Sequence, residues 1–416
     1  MNVELIARWL DRIVFISLLG FWCALGFSNA LVEITFMAAL LSWAAGRFLR
    51  KDYRLYIPGA IFFPLALYIA LVSSSAVWSE YPAQSVRGAV KVLQHFFLFW
   101  ISAEAFRVKE RRDMFEKVFL AFFVVLLIDG YFQLISGVDL IRHFKAAHSS
   151  AGYRVSASFK SYGLLAAYLI CTVPLLAVIL LEASQKKGTA LNRLICGAVL
   201  AGAVGLLVLT RSRGGVIAFF AGVILYLVLR RKWKAIAFGI IAAAFLALAV
   251  PRTMLIHKNL EGGEQSLIER YYLWDRAMNV IKAKPVQGTG INTYVTAHEK
   301  YDTTQNWRVR DYYAHNGYLQ IAAETGVPSL LLLLFYIFIF FRGLWKSGNR
   351  LLANRNRAKT VGIAFGLVNF LFFALIDTVF HNPQAVMVFW FLSGLALAYA
   401  GVVRDASVAG DSWCWK

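Results

Sequence analysis

Six residues near polar borders of this chain have the types and placement to do chemistry. His315 and Asn316 open an apolar helical pattern within Arg310–Gly326, RDYYAHNGYLQIAAETG. A histidine at a helix start suits a general base or a hydrogen-bond acceptor, and equally a cap or an interfacial contact. Arg211 and Arg213 flank the tight turn TRSRGG (210–215) between two apolar runs. Paired guanidinium groups give bidentate contacts to a substrate carrying several negative charges; ordinary lipid headgroups satisfy them too. Arg270 lies on an amphipathic pattern, where a headgroup contact is the simpler role. Asp377 follows an apolar run, four residues before His381, and fits either a local helix-end contact or an orienting partner for His315. Glu324 is expected to pair structurally with an arginine rather than act as an acid.

The elements that position these residues follow from hydropathy. The 416 residues are 59% hydrophobic and 16% charged, outside the range of soluble globular domains and typical of a polytopic membrane protein. Apolar runs long enough to cross a bilayer fall near 9–27, 30–47, 57–77, 84–106, 114–136, 161–182, 191–210, 214–230, 233–250, 328–345, 361–379 and 384–403, about twelve spans. Arg8 and Arg12 precede the first run without a small-residue cleavage site, so that run reads as a retained span. The net charge of +20 then reads as basic loops beside anionic lipid, not as a nucleic-acid surface.

Alternate connections are chemically distinct. RFLRKDYR (47–54), RVKERR (107–112), SQKKG (184–188), RRKWK (230–234) and 342–359 are dense in Lys and Arg. The positive-inside rule makes that set cytoplasmic, together with both termini. The other set, 78–85, 137–160, 210–215, 251–314 and 377–384, carries most of the candidate chemistry and faces away from the cytoplasm. The expected division is spans 1–9 over 1–250, an outer loop over 251–314, a half-helix and spans 10–12 over 315–404, and a cytoplasmic tail over 405–416.

Within the long outer loop, Leu267, Tyr271, Trp274, Met278 and Ile281 recur at steps of four and three, one apolar helical face. Arg270 lies about 60° from the centre of that face, with Arg276 and Glu269 opposite, from 3.6 residues per turn. This predicts a helical lid on the membrane surface, ending before Pro285. Gly326 and Pro328 should break the His315 helix before the next span. His143, His148, His257 and His298 read as surface residues. No Gly-rich P-loop, Asp-x-Asp, CxxC or His/Cys cluster occurs, so neither a metal nor a cofactor is expected.

Three segments carry a family resemblance. HNGYLQIAAETGVPSLLLL, TRSRGG, and ERYYLWDRAMNVIKAKPVQGTGINTY resemble, in order and spacing, the O-antigen ligase and polymerase superfamily; Ser329 departs from its frequent Gly-x-x-Gly ending. The resemblance implies an all-α, GT-C-like glycosyltransferase of the bacterial inner membrane, with about twelve transmembrane helices and a periplasmic helical lid between spans 9 and 10. It implies a glycan donor on undecaprenyl pyrophosphate and lipid A–core as acceptor, with periplasmic chemistry. By position, Arg213, Arg270 and His315 match its functional residues and Asp377 an acidic position before its penultimate outer loop; these four are the expected catalytic residues, and Arg211, Arg213, Arg270 and Asn316 are the expected substrate contacts. A polymerase using the same donor is the alternative, and a polar-lipid transporter is the alternative of another class.

Overall fold

The structure is a computed structural model describing residues 3–149, 152–234, 259–302, 313–350 and 354–403. Its described residues form fourteen α-helices: α1 (Val3–Ala24), α2 (Asn29–Arg50), α3 (Gly59–Ser74), α4 (Pro82–Ala105), α5 (Lys109–Ser136), α6 (Tyr162–Lys187), α7 (Ala190–Leu209), α8 (Arg213–Leu229), α9 (Asn259–Ala283), α10 (Tyr294–Ala297), α11 (Gly317–Thr325), α12 (Val327–Arg350), α13 (Asn354–Phe373) and α14 (Pro383–Tyr399). Eleven expected spans coincide with helices here, and the ninth, 233–250, falls almost wholly outside the described residues. Five of these helices are long and apolar enough to cross a membrane (α2, α5, α6, α7 and α12), and α3, α8 and α14 are shorter apolar helices. The chain is therefore an all-α, multi-pass membrane protein. One departure is a small antiparallel hairpin in the 137–160 connection, β1 (Ala147–Ser149) with β2 (Gly152–Arg154), pairing His148 with Tyr153.

Helix ends follow their capping residues. Ser28, Ser161, Thr189, Ser212, Asn316 and Asn382 each accept a backbone N–H of the first turn, satisfying donors that have no partner within the helix. Gly137 and Gly188 close α5 and α6 in left-handed conformations. α14 is buried on every side from Gln384 to Tyr399 and packs on α4, α6, α13 and other elements. Its sequence, apolar all round, is what a central helix requires. Large apolar side chains of the outer helices, such as Ile34, Leu41, Phe48 and Ile217, point away from the protein, as expected beside lipid.

Two polar layers separate along the bundle. At one end, Glu104 accepts from Arg47 (2.8 Å), Trp43 (2.8 Å) and Trp100 (2.6 Å). At the same end buried Lys359 joins Glu116 and Glu182, and the Tyr399 hydroxyl donates to Glu116 (2.7 Å). At the other end, Gly317 N–H donates to the Ala374 carbonyl (2.7 Å), Val155 N–H to Leu209 (3.1 Å), and the Trp78 indole to the Gln287 carbonyl (2.8 Å). The connections expected to share a side therefore touch one another.

Close helix packing depends on small residues. A Cβ on Gly366 of α13 would lie 1.8 Å from the Cys171 carbonyl oxygen of α6, whereas Gly197 of α7 has nothing within 4 Å. Gly366→Ala should destabilise the protein by about 1–3 kcal/mol, lowering its unfolding temperature in detergent. Gly197→Ala should leave that temperature unchanged or raise it slightly. Equal behaviour of the two variants would contradict the α6–α13 packing.

Candidate active site

The site is assembled from four connections at one end of the bundle. Residue Asn316 caps α11: its side-chain oxygen accepts from Tyr318 N–H (3.0 Å) and Leu319 N–H (3.1 Å). That oxygen is thus occupied, leaving only the amide NH2 group for the substrate contact expected of Asn316. His315 stands immediately before the cap with φ +46°, a left-handed backbone uncommon for a side chain of this size. Such positions cluster where function requires a side chain to be re-aimed. Its Nδ1 lies 3.5 Å from Asp377 Oδ1, with both side chains about one-third exposed. That separation exceeds a formed hydrogen bond, though catalytic contacts commonly tighten when substrate binds. The Nδ1 side of the ring faces the carboxylate.

TRSRGG provides the neighbouring cation. Ser212 Oγ accepts Gly215 N–H (3.2 Å), starting α8 at Arg213. Cβ atoms on Gly214 would come within 2.9 Å of Ile376 and 3.0 Å of Phe373. Glycine therefore lets the start of α8 press against the segment that ends in Asp377, bringing exposed Arg213 to the same border as His315. A cation at the first position of a helix opposes the helix dipole, and an anion bound there relieves both. Arg211, also left-handed at φ +52°, lays its guanidinium against the hairpin tip, where a Gly152 Cβ would be 3.0 Å from Nη2. Arg270 is half-buried on α9, which packs on α11.

The face of α9 differs from expectation. Leu273, Arg276, Ala277 and Val280 are buried, while Tyr271 and Met278 are exposed. The inward face is one residue, or about 100°, from the predicted one. Arg276 turns inward because it pairs with Asp302, a contact invisible to hydropathy. Ala277 and Val280 meet Ala314, Ala323 and Tyr294 in a small core of their own. His298 is likewise not a surface residue: it is buried, its ring 5.2 Å from that of Tyr294. His143 and His148 are exposed as expected, and His257 lies outside the described residues.

Glu324 organises the layer, through partners that the sequence did not suggest. It is buried and accepts from Asn292 N–H (2.8 Å), Tyr294 N–H (3.1 Å) and the Gln320 amide (3.3 Å). His381 Nε2 lies 2.8 Å from the carboxylate oxygen that accepts from Asn292. The expected arginine is replaced by a histidine and two backbone donors. Around it, Gly290 N–H donates to the Glu324 carbonyl (2.7 Å) and Val327 N–H to the Pro285 carbonyl (2.8 Å). A Cβ on Gly326 (φ +84°) would lie 1.9 Å from the Val286 carbonyl oxygen, so only glycine fits. PVQGTGINT and AAETG therefore form one backbone clasp. Gly326 ends α11, and Pro328 enters the first turn of α12, as expected.

A second tether joins the clasp to the 75–85 connection. Glu80 pairs with Lys284 (2.8 Å) and with Lys300, and these two hydrogen bonds hold its carboxyl down at about 2. A carboxyl depressed on folding contributes stability above its ordinary range and loses it as pH falls toward 2.

These features describe a multi-pass membrane protein with a histidine–carboxylate pair and the Arg213 helix start at one border of a helical bundle. Residues 197–334 match the model of a family described as O-antigen ligase, and on that segment the chain is similar to it. The match spans α7 to the first turns of α12 and includes Arg211, Arg213, Arg270, His315, Asn316 and Glu324; Asp377 and His381 lie beyond it. No curated protein matches the chain.

Replacing Glu324 by Ala strands the buried Tyr294 N–H, at about 1–3 kcal/mol, and removes the part-buried bond to Asn292 N–H. Hydrogen exchange over 286–296 should accelerate at least tenfold in Glu324→Ala, while α2 is unaffected. Unchanged exchange would remove Glu324 from this role. Glu80→Gln should loosen 284–300 at neutral pH, and in wild type the same loosening should appear only as pH falls from about 4 toward 2.

Proposed function

We propose that this protein is a glycosyltransferase of the O-antigen ligase type, acting at the periplasmic face of the bacterial inner membrane. It transfers O-antigen polysaccharide from undecaprenyl pyrophosphate to a sugar hydroxyl of lipid A–core. The observation that carries this reading is the His315–Asp377 pair beside the Arg213 helix start, within and next to the family-matched segment.

The reaction is a one-step displacement at the anomeric carbon. The acceptor oxygen forms a bond to that carbon while the bond to the pyrophosphate oxygen breaks, inverting configuration. The acceptor proton passes to the His315 imidazole, and Asp377 holds the ring for that transfer. The departing pyrophosphate gains negative charge, met by Arg213, Arg211 and Arg270 together with the start of α8. Pyrophosphate leaves readily, so the scheme calls for neither a general acid nor a metal ion. The polymerase alternative shares this chemistry and differs only in its acceptor.

A transporter fits the charges less well. Glu33 pairs with Lys91 (2.6 Å), Glu104 with Arg47, and Asp129 accepts Leu140 N–H (2.7 Å). Each has a partner close by, Asp129 through one of its two oxygens.

With purified protein, undecaprenyl-pyrophosphate-linked glycan and lipid A–core, His315→Ala should slow transfer about 10²–10⁴-fold. Arg213→Ala should cost about 10²–10³-fold. Arg270→Lys tests the guanidinium fork, since lysine keeps the charge alone. Near wild-type transfer by His315→Ala would remove it as the base. In cells, loss of the protein should leave bare core and accumulated lipid-linked polymer; core capped by one repeat unit would instead identify a polymerase.

A further inference from the structure

Two histidine–carboxylate contacts join α11 to the 377–382 connection, and they run in opposite senses. Just before α11, His315 faces Asp377 at 3.5 Å. In the last turn of α11, Glu324 meets His381, with 2.8 Å between Oε2 and Nε2. The helix thus brings a histidine and then a carboxylate, and the connection a carboxylate and then a histidine. The first contact is longer than a hydrogen bond and about one-third exposed. The second is a formed hydrogen bond, with the Glu324 side chain 1% and that of His381 10% exposed.

The tight contact bears on the loose one because a short, internally bonded turn connects them. His381 N–H donates to the Thr378 carbonyl (2.9 Å), closing a 3₁₀ turn over Val379–His381. Thr378 N–H donates to Asp377 Oδ1 (2.7 Å), the same oxygen that faces His315 Nδ1. The Asp377 carboxylate is therefore oriented by the backbone of the turn. Within the turn, the Phe380 ring packs on Phe370, Tyr318 and Phe389, at centroid distances of 5.3, 5.9 and 6.0 Å. Burial of that ring sets how deeply the turn sits, but apolar burial is non-directional. Asn382, at the far end, is committed to capping α14. The bond from His381 to Glu324 supplies the direction.

We propose that His381 is a positioning residue for glycan transfer: anchored on Glu324, it holds the turn so that Asp377 stays aimed at His315. On the function proposed above, and resting on it, this gives the buried pair a part in the rate as well as in the clasp. His381 acts through Asp377 and not on the substrate. A misplacement of about 1 Å at a reacting pair costs on the order of 10²-fold in rate. A turn freed at its His381 end should therefore slow the chemical step. The arginines that meet the donor lie on other elements, so substrate binding should change little.

Steady-state transfer by purified His381→Gln and His381→Asn tests this. The amide nitrogen of Gln falls close to the position of Nε2, whereas Asn ends near Nδ1 and stops short of Glu324. His381→Gln should keep kcat within about threefold of wild type. His381→Asn should lower kcat about 10–10²-fold, with KM for donor and acceptor changed less than about threefold. His381→Leu should match His381→Asn and replaces it if that variant does not fold. In an Asp377→Ala background, His381→Asn should cost less than about twofold more, because the residue it serves is gone. Equal kcat in His381→Gln and His381→Asn overturns the proposal. So does the full loss on top of Asp377→Ala, which marks a general loosening of the fold. If His315→Ala is slow while every His381 variant keeps the wild-type rate, the positioning role alone fails. If His315→Ala itself transfers at the wild-type rate, the proposed base fails and the role of His381 falls with it.

Discussion

The polar end of this protein depends on one buried carboxylate. Glu324 sits in the last turn of a nine-residue helix and gathers two backbone N–H groups, an amide and a histidine around itself. A buried carboxylate is tolerated only when its oxygens are nearly saturated with donors. Meeting that requirement fixes 290–294 against α11 on one side and His381 on the other. The glycines at 288 and 326 let the backbones approach closely enough for the carboxylate to be satisfied, and Gly290 makes room for the Ser79 and Ser85 side chains. Tyr294 feels the consequence: burial pushes its hydroxyl up, with the Arg276 charge opposing and the Glu324 charge adding to the rise.

From that anchor the candidate chemistry follows by short steps. α11 begins with Asn316, and the residue before the cap is His315. Gly317 N–H is bonded to Ala374, three residues before Asp377. Gly214 packs the start of α8 on the same stretch. His315, Asp377 and Arg213 come from distant parts of the chain, yet each lies within a few residues of a backbone contact that fixes it. This explains how a pair 3.5 Å apart and one-third exposed can still be well positioned.

The sequence revealed what depends on local chemistry. Long apolar runs located the helices, Gly326 and Pro328 marked the break after α11, and the Ser212 cap with its glycines marked the turn into α8. Contacts between residues far apart in sequence stayed hidden. Arg276 reads as outward on a helical wheel because hydropathy has no knowledge of Asp302. Glu324 reads as an arginine partner because fifty-seven residues separate it from His381.

Chemical rescue tests the central claim, that His315 takes the acceptor's proton, most directly. In His315→Gly the site keeps its arginines and its Glu324 clasp and lacks only the imidazole. Added imidazole should restore glycan transfer in that variant in a concentration-dependent way, and should do nothing for Arg213→Ala. Transfer by His315→Gly at the wild-type rate without imidazole would contradict the account, as would equal stimulation of both variants.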